Sequence, residues 1–267
     1  MRKNPVKQAL KEGKAVYGTM MVEFRSSSVV QMLAVAGFDY FFIDMEHGTF
    51  SYETMSDMIR AGRLAGIVPI VRVTDCQYHL MSRPLDAGAM GLMIPRVETR
   101  AQVEQIIQWT KYPPWGIRGC GASTGHSDYE GVRVAEFVKH ANEEILIVPQ
   151  IESGLAIENI EQIVSVKGVD AAVFGPNDLS ISLGVPGETE HPKMIQSFER
   201  VLAACDKAGI ACGLHVGSVD LVNKWKARGM RFLCWSTDIG MIKESSAKGL
   251  AAMRSAAGKE QCVMRKA

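Results

Sequence analysis

No apolar stretch of this chain approaches the ~20 residues that a membrane-spanning helix requires. The N-terminal stretch MRKNPVKQALKEGK is charged and lacks the apolar core of about 7–15 residues that marks a secretory leader. Both absences point to a cytoplasmic protein. An excess of charge of one sign is missing as well: 30 Lys and Arg stand against 29 Asp and Glu, a net charge of +1. Neither nucleic acid nor an anionic membrane surface is therefore expected as a partner. The 6 cysteines (Cys76, Cys120, Cys205, Cys212, Cys234 and Cys262) include no CxxC pair, and several stand in apolar runs such as Phe232-Leu233-Cys234-Trp235. They read as reduced, mostly buried thiols rather than a disulfide framework or a zinc site. No GxGxxG and no P-loop follows an apolar run, so the usual signals of nucleotide chemistry are absent.

What the chain does contain is a repeat. Its 47% hydrophobic and 22% charged residues are those of a globular protein, and its length suits one large core. Eight short apolar runs recur, at 16–22, Tyr40–Asp44, Val68–Val73, Gly91–Pro95, Ile145–Glu152, Ala171–Gly175, Cys212–Val216 and Phe232–Ser236. Their apolar content is nearly continuous, as in parallel strands covered on both faces. Helical spacing fills intervals at Ser27–Ala36, Tyr52–Ala65, Arg100–Lys111, Ile157–Val164, Ile195–Ala208 and Val219–Ala227, with a further pattern near Val134–Ala141. Ala36-Gly37, Ala65-Gly66, Ala87-Gly88, Lys167-Gly168, Ala208-Gly209 and Arg228-Gly229 supply turns before strands. Eight βα repeats predict an α/β fold, one (β/α)8 TIM-barrel domain over residues 1–267, with an open doubly wound sheet as the structural alternative. A long Gly-rich connection containing YPPWGIRGCGASTGHSDYEG separates the fourth run from the fifth, and reads equally as a functional excursion or a solvated loop. The Ala-, Lys- and Ser-rich tail after Met241 reads as a helix packed on the barrel or on another subunit.

The active site of such a barrel lies at the C-terminal ends of its strands. Polar residues gather there: Asp44-Met45-Glu46-His47-Gly48, Arg72, Gln150-Ile151-Glu152, Gly175-Pro176-Asn177-Asp178 and His215. Each alone has a structural explanation. Asp178 suits a helix cap, Glu152 a first helical turn, Arg72 an ion pair with Asp44 on the neighbouring strand, and His47 a hydrogen-bonded loop. Together, two acids, an Arg, a His and a Gln at one mouth are costly to assemble without a ligand. Glu152 and Asp178 with waters form an oxygen site suited to Mg2+ or Mn2+. A metal with open positions can bind the keto and carboxylate oxygens of a 2-oxo acid. Arg72 can stabilise a developing enolate oxygen, and His47 is the natural general acid/base. Gln150 can orient substrate; Gly175, Asn177 and Leu214 are further candidates for substrate contact. No strand-like run contains a lysine, which disfavours a Schiff-base aldolase.

At this point the motifs themselves become specific. Phe41-Phe42-Ile43-Asp44-Met45-Glu46-His47-Gly48, Val71-Arg72-Val73, Gly88-Ala89-Met90-Gly91-Leu92-Met93-Ile94-Pro95, Tyr112-Pro113-Pro114-Trp115-Gly116-Ile117-Arg118-Gly119, Pro149-Gln150-Ile151-Glu152 and Gly175-Pro176-Asn177-Asp178-Leu179-Ser180 resemble the HpcH/HpaI aldolases, over nearly the whole chain and in order. These are metal-dependent class II aldolases of 4-hydroxy-2-oxo acids. The resemblance implies a TIM barrel that cleaves such an acid to pyruvate and an aldehyde, using Mg2+, Mn2+ or Co2+. It implies Glu152 and Asp178 as metal ligands, Arg72 at the pyruvate oxygen and His47 at the hydroxyl of carbon 4. It further implies Asp44 near that histidine, Gln150 at the substrate, and Asp86 reaching a neighbouring subunit's histidine. Members form hexamers, trimers of dimers, with C-terminal helices exchanged between subunits.

The chain also departs from the family. Asn177 stands where members often have alanine, Cys120–Tyr129 replaces an Arg- and Ala-rich stretch, and His215 follows a strand that is usually apolar. All three are expected where substrate is gripped, so the aldehyde pocket should differ from that of the best-known members. A CoA-thioester lyase or a decarboxylase using the same enolate is the alternative. It calls for a basic groove, for which the sequence offers only Arg118, Arg133 and Lys139. A non-catalytic binding protein would require loss of a catalytic residue, and none is lost.

Overall fold

The structure, a computed structural model, describes residues 2–256; Cys262 and the end of the expected helical tail lie outside them. The described residues form eight strands: β1 (Val16–Met21), β2 (Tyr40–Asp44), β3 (Val68–Arg72), β4 (Gly91–Ile94), β5 (Leu146–Ile151), β6 (Ala171–Phe174), β7 (Ala211–Val216) and β8 (Phe232–Thr237). Each pairs in parallel with the next and β8 returns to β1, closing the sheet. This is the expected (β/α)8 barrel, and closure excludes the open doubly wound sheet.

Twelve helices accompany the strands: α1 (Pro5–Lys11), α2 (Ser27–Ala36), α3 (Tyr52–Ala65), α4 (Tyr78–Ala87), α5 (Arg100–Thr110), α6 (Val134–Glu144), α7 (Gly154–Glu158), α8 (Ile160–Val164), α9 (Pro176–Ser182), α10 (Pro192–Ala208), α11 (Val219–Ala227) and α12 (Asp238–Ala256). Side chains of Ser26, Ser51, Thr99, Ser153 and Ser218 accept hydrogen bonds from first-turn N–H groups. Gly37, Gly66, Gly88 and Gly209 end helices in the left-handed conformation, as their place before strands anticipated.

Because side chains alternate along a strand, each strand feeds two cores. One residue set fills the barrel: Tyr40 and Phe42, Val68 and Ile70, Leu146 and Val148, Ala171 and Val173, Phe232 and Cys234. The interleaved set, including Phe41, Ile43, Val71, Ile147, Phe174 and Leu214, packs under the helices. Large and small residues interlock inside: the Tyr40 and Phe232 rings stack at 4.5 Å, and a Cβ on Gly18 would lie 2.3 Å from the Tyr40 ring.

Two helices have no counterpart in the sequence pattern. α1 arises from the charged N-terminal stretch, and its Val6 and Leu10 join the inner core, plugging the barrel beneath the strands' N-terminal ends. α4 carries Pro84 inside it, which hides its periodicity. The helix expected over Ile157–Val164 is two short ones, α7 and α8, meeting at Asn159. The tail helix starts at Asp238, earlier than expected; its start packs on β1 and β8.

Asn4 ties the plug down. Wholly buried, its side chain accepts from the N–H of Lys7 at 3.1 Å and donates to the carbonyls of Met90 (2.8 Å) and Glu144 (3.1 Å). Asn4→Ala removes a helix cap and the buried side-chain hydrogen bonds to the Met90 and Glu144 carbonyls, so we expect a loss of about 2 kcal/mol. A urea melt with an unchanged midpoint would show that α1 is not part of the cooperative core.

Candidate active site

The inward-facing series of four strands ends in polar residues. Tyr40 and Phe42 lead to Asp44, Val68 and Ile70 to Arg72, Leu146 and Val148 to Gln150 and then Glu152, and Ala211 and Gly213 to His215. The same alternation that fills the barrel thus places these groups at its mouth. The cavity there is lined by Asp44, His47, Arg72, Gln150, Gly175, Asn177, Asp178 and His215, among others.

Register sets Asp44 opposite Arg72. The Arg72 guanidinium grips the Asp44 carboxylate with Nε at 2.9 Å and Nη2 at 2.5 Å, and both residues are buried. Asp44 also accepts the backbone N–H groups of Glu46 (3.0 Å) and His47 (3.2 Å), which shapes the β2–α3 loop. Burial opposes the charge on Arg72, but the Asp44 hydrogen bonds and the charges of Asp44, Glu46 and Glu152 outweigh it and hold the guanidinium above its ordinary pKa. The structural explanation for Arg72 therefore holds, yet it leaves donors on the guanidinium that Asp44 does not use.

Glu46 and Arg96 complete the network, and sequence reading gave neither a role. Glu46 lies 3.4 Å from Arg72 Nη1 and 3.1 Å from Arg96 Nη1. Arg96 has a φ of 53°, a strained conformation for arginine, and its backbone N–H reaches Glu152 Oε1 at 2.6 Å. The other carboxylate oxygen, Oε2, accepts from Gln150 Nε2 at 2.5 Å. The Arg96 role rests on backbone geometry, which its side-chain identity does not announce. Glu46 could have been found from its place in the Asp44–Gly48 cluster.

The charged form of Glu152 is disfavoured where it stands. Burial above all, with the nearby Glu46 and Asp178 carboxylates, pushes its pKa up to about 7 against the Arg96 hydrogen bond. A cation between Glu152 and Asp178 would relieve that cost. Each Glu152 oxygen has one protein donor and keeps a free lone pair, and Gln150 Oε1 is buried without a partner. Among the described residues no group of three or more His, Cys, Asp or Glu gathers to hold a metal. Two carboxylates completed by waters and substrate oxygens suit a hard cation that retains part of its hydration, so the residues fit the expected divalent ion. Asp178 does not cap α9; it stands exposed in the first turn after Gly175 and Pro176.

Three expected residues stand elsewhere. The Leu214 side chain is fully buried in the outer core and does not line the cavity; His215, one residue on, faces the mouth. Alternation along β7 is the reason. Asp86 lies at the end of α4, near the N-terminal end of the barrel, where it meets Arg118 Nη2 at 2.6 Å and His126 Nδ1 at 3.7 Å. Within one chain it is not part of the mouth. His126 likewise does not join the site. It stacks on Phe137 at 4.5 Å, and burial, then Arg118, lowers its pKa to about 4. Of the three departures from the family pattern, only Asn177 and His215 reach the mouth. Burial also lowers the pKa of His215.

A closed parallel barrel whose mouth joins a fixed arginine, an exposed histidine and two acids has the layout of a barrel enzyme's active site. A family model described as HpcH/HpaI aldolase/citrate lyase matches residues 19–244. The chain belongs to that family, a family of lyases. It is 32% identical to a 2-keto-3-deoxy-L-rhamnonate aldolase of Salmonella gallinarum, over 94% of each chain. It is 33% identical to a hydroxypyruvate/pyruvate aldolase of Paraburkholderia phytofirmans, over 94% of this chain and 98% of that one. An HpcH/HpaI aldolase from Desulfitobacterium hafniense superposes with a TM-score of 0.91 at 36% identity, covering 96% of this chain and 98% of that one.

Gly175 shows how tightly the acid is seated. A Cβ there would lie 2.4 Å from Glu152 Oε2 and 2.6 Å from Gln150 Nε2. Gly175→Ala should therefore displace both groups and weaken Mn2+ binding roughly tenfold or more, as read by electron paramagnetic resonance titration. Unchanged affinity would detach Glu152 from the cation.

Proposed function

We propose that the chain catalyses the metal-dependent, reversible cleavage of a 4-hydroxy-2-oxo acid to pyruvate, or a close 2-oxo acid, and an aldehyde. The observation that carries this reading is the mouth's arrangement: Arg72 is locked on Asp44 beside a buried Glu152 carboxylate that lacks a cationic partner of its own among the described residues, with exposed His47 lining the same cavity. A divalent ion held by Glu152 and Asp178 (Mg2+, Mn2+ or Co2+) supplies Lewis acidity at the keto and carboxylate oxygens of the 2-oxo acid. Arg72 directs its unused N–H groups at the oxygen on carbon 2, and Asp44 keeps the guanidinium from turning as charge develops there. His47 takes the proton of the hydroxyl on carbon 4. The bond between carbons 3 and 4 then breaks, its electron pair passes into the enolate, and carbon 3 is protonated. Gln150 holds Glu152 and offers its free oxygen towards the substrate.

The names of the two relatives both describe 2-oxo acid chemistry. A CoA-thioester lyase or decarboxylase is the weaker reading. Among the described residues lining the cavity, Arg72 is the only Lys or Arg, and Arg96 beside it is engaged by Glu46 and the Thr74 carbonyl. Arg118 is buried on Asp86, Arg133 pairs with Glu136, and Lys139 lines a groove at the other end of the barrel. No basic track therefore leads a nucleotide to the site.

The deciding experiment couples pyruvate release to 4-hydroxy-2-oxo acids of varied length. EDTA should abolish release, and Mg2+, Mn2+ or Co2+ should restore it. Arg72→Lys, which loses the bidentate grip, should lower kcat about 10²–10³-fold. A full rate in EDTA would remove the metal from the reaction, and no pyruvate from any such acid would sink the reading.

The whole chain is taken as one aldolase domain working in the cytoplasm. No helix among the described residues is long and apolar enough to cross a membrane. We further propose a hexamer, a trimer of dimers, with α12 exchanged between subunits and Asp86 reaching a neighbouring subunit's histidine. Along α12, Ile242, Leu250 and Met253 are 53%, 40% and 65% exposed, an apolar surface that a second copy of the chain would cover. Light scattering should give six chain masses, and Leu250→Asp with Met253→Asp should lower that number; a monomeric wild type would refute the exchange.

A further inference from the structure

The β7–β8 side of the mouth is irregular. β1 pairs Gly18 with Cys234 but Met20 with Thr237, so β8 carries one extra residue there, a bulge. Ser236 within it is buried and has a φ of 58°. The bulge's carbonyl, Ser236 O, accepts from Thr19 Oγ1 at 3.4 Å and lies 2.9 Å from His215 Nε2.

A carbonyl oxygen only accepts, so Nε2 of His215 carries the proton and Nδ1 keeps its lone pair. Nδ1 makes no hydrogen bond to the described residues and is not among their buried unpartnered atoms, so it is open to the cavity that His215 lines. The tether to Ser236 holds the ring, and burial keeps it neutral. His215 shares the floor of the mouth with Asp44 and Arg72, close enough for both charges to act on it. Of the other polar groups lining this side, Asn177, Thr189, Ser236 and Thr237 are uncharged and the only charged one, Asp178, is an acid that would repel a carboxylate. The wall therefore presents a fixed acceptor, suited to a hydroxyl and unsuited to a carboxylate.

Resting on the aldolase reading, we propose that His215 Nδ1 accepts a hydrogen bond from a hydroxyl on carbon 3 of the 2-oxo acid, which makes His215 a residue that selects 3-hydroxy-2-oxo acids, of which hydroxypyruvate is the smallest, as the nucleophilic substrate. Arg72 addresses the oxygen on carbon 2, and carbon 3 is the adjoining atom, so a substituent there falls beside Arg72 on the floor. The aldehyde extends instead towards His47 and the exposed rim. A hydroxyl taken out of water needs a partner, and a methyl group in its place leaves Nδ1 unpaired.

The test uses the Mg2+-loaded enzyme with D-glyceraldehyde as the aldehyde and hydroxypyruvate or pyruvate as donor. The ratio of kcat/KM values, hydroxypyruvate over pyruvate, should fall at least about tenfold in His215→Leu and recover in part in His215→Asn, whose amide oxygen can accept. A folded His215→Leu enzyme with the wild-type ratio overturns the proposal. Calorimetric titration of the wild type with each acid decides it without a variant: hydroxypyruvate should bind more tightly, and equal affinities overturn the proposal. Tighter hydroxypyruvate binding without carbon–carbon bond formation would refute the aldolase reading while supporting the role of His215 in recognition.

Discussion

The buried positive charge of Arg72 organises the mouth of this barrel. A guanidinium at the floor of a barrel is tolerable only with an acid beside it, and strand register delivers Asp44 to that place. From this pair the order spreads outward. Asp44 gathers the N–H groups of Glu46 and His47, Glu46 holds Arg96, and Arg96 and Gln150 hold the two oxygens of Glu152. Removing the central charge would leave acids facing one another.

The closed barrel gives this network its rigidity. Its inner layers are filled by aromatic and aliphatic side chains, and α1 seals the end away from the mouth. The polar residues thus stand on a floor that cannot settle. Burial disfavours the charge on Glu152, and the Arg96 N–H and Gln150 amide hold its carboxylate in place. The same cost that would be a liability in a core makes the site receptive to a cation. Gly175 belongs to this economy of space, since any side chain there would occupy the volume of the acid itself.

The other end of the barrel holds a second polar cluster of different character. Arg63 binds Asp128 and the carbonyl of Gly88, and Arg118 binds Asp86. These contacts fasten the Gly-rich excursion between β4 and β5 to α3 and α4. The excursion that read equally as functional or solvated is thus, within one chain, a strap around the barrel's lower rim.

Much of the chemistry was legible in the residues. Continuous apolar runs at βα spacing determined the barrel, because strands covered on both faces leave no alternation to read. Strand-end acids, Arg72, His47 and Gln150 were visible because charge at those positions has no packing purpose. Other features were not legible. α1 and α4 are helices made by tertiary burial and disguised by charge and by Pro84. Arg96 meets Glu152 through its backbone N–H, to which its side-chain identity is no guide. Leu214 and His215 are adjacent in sequence, and only the phase of β7 within the closed sheet decides which of them faces the mouth. The sequence by itself determined the fold, the family and the kinds of groups at the mouth. The tertiary structure decided which groups face one another, because the direction of a side chain depends on a register that only closure of the barrel imposes.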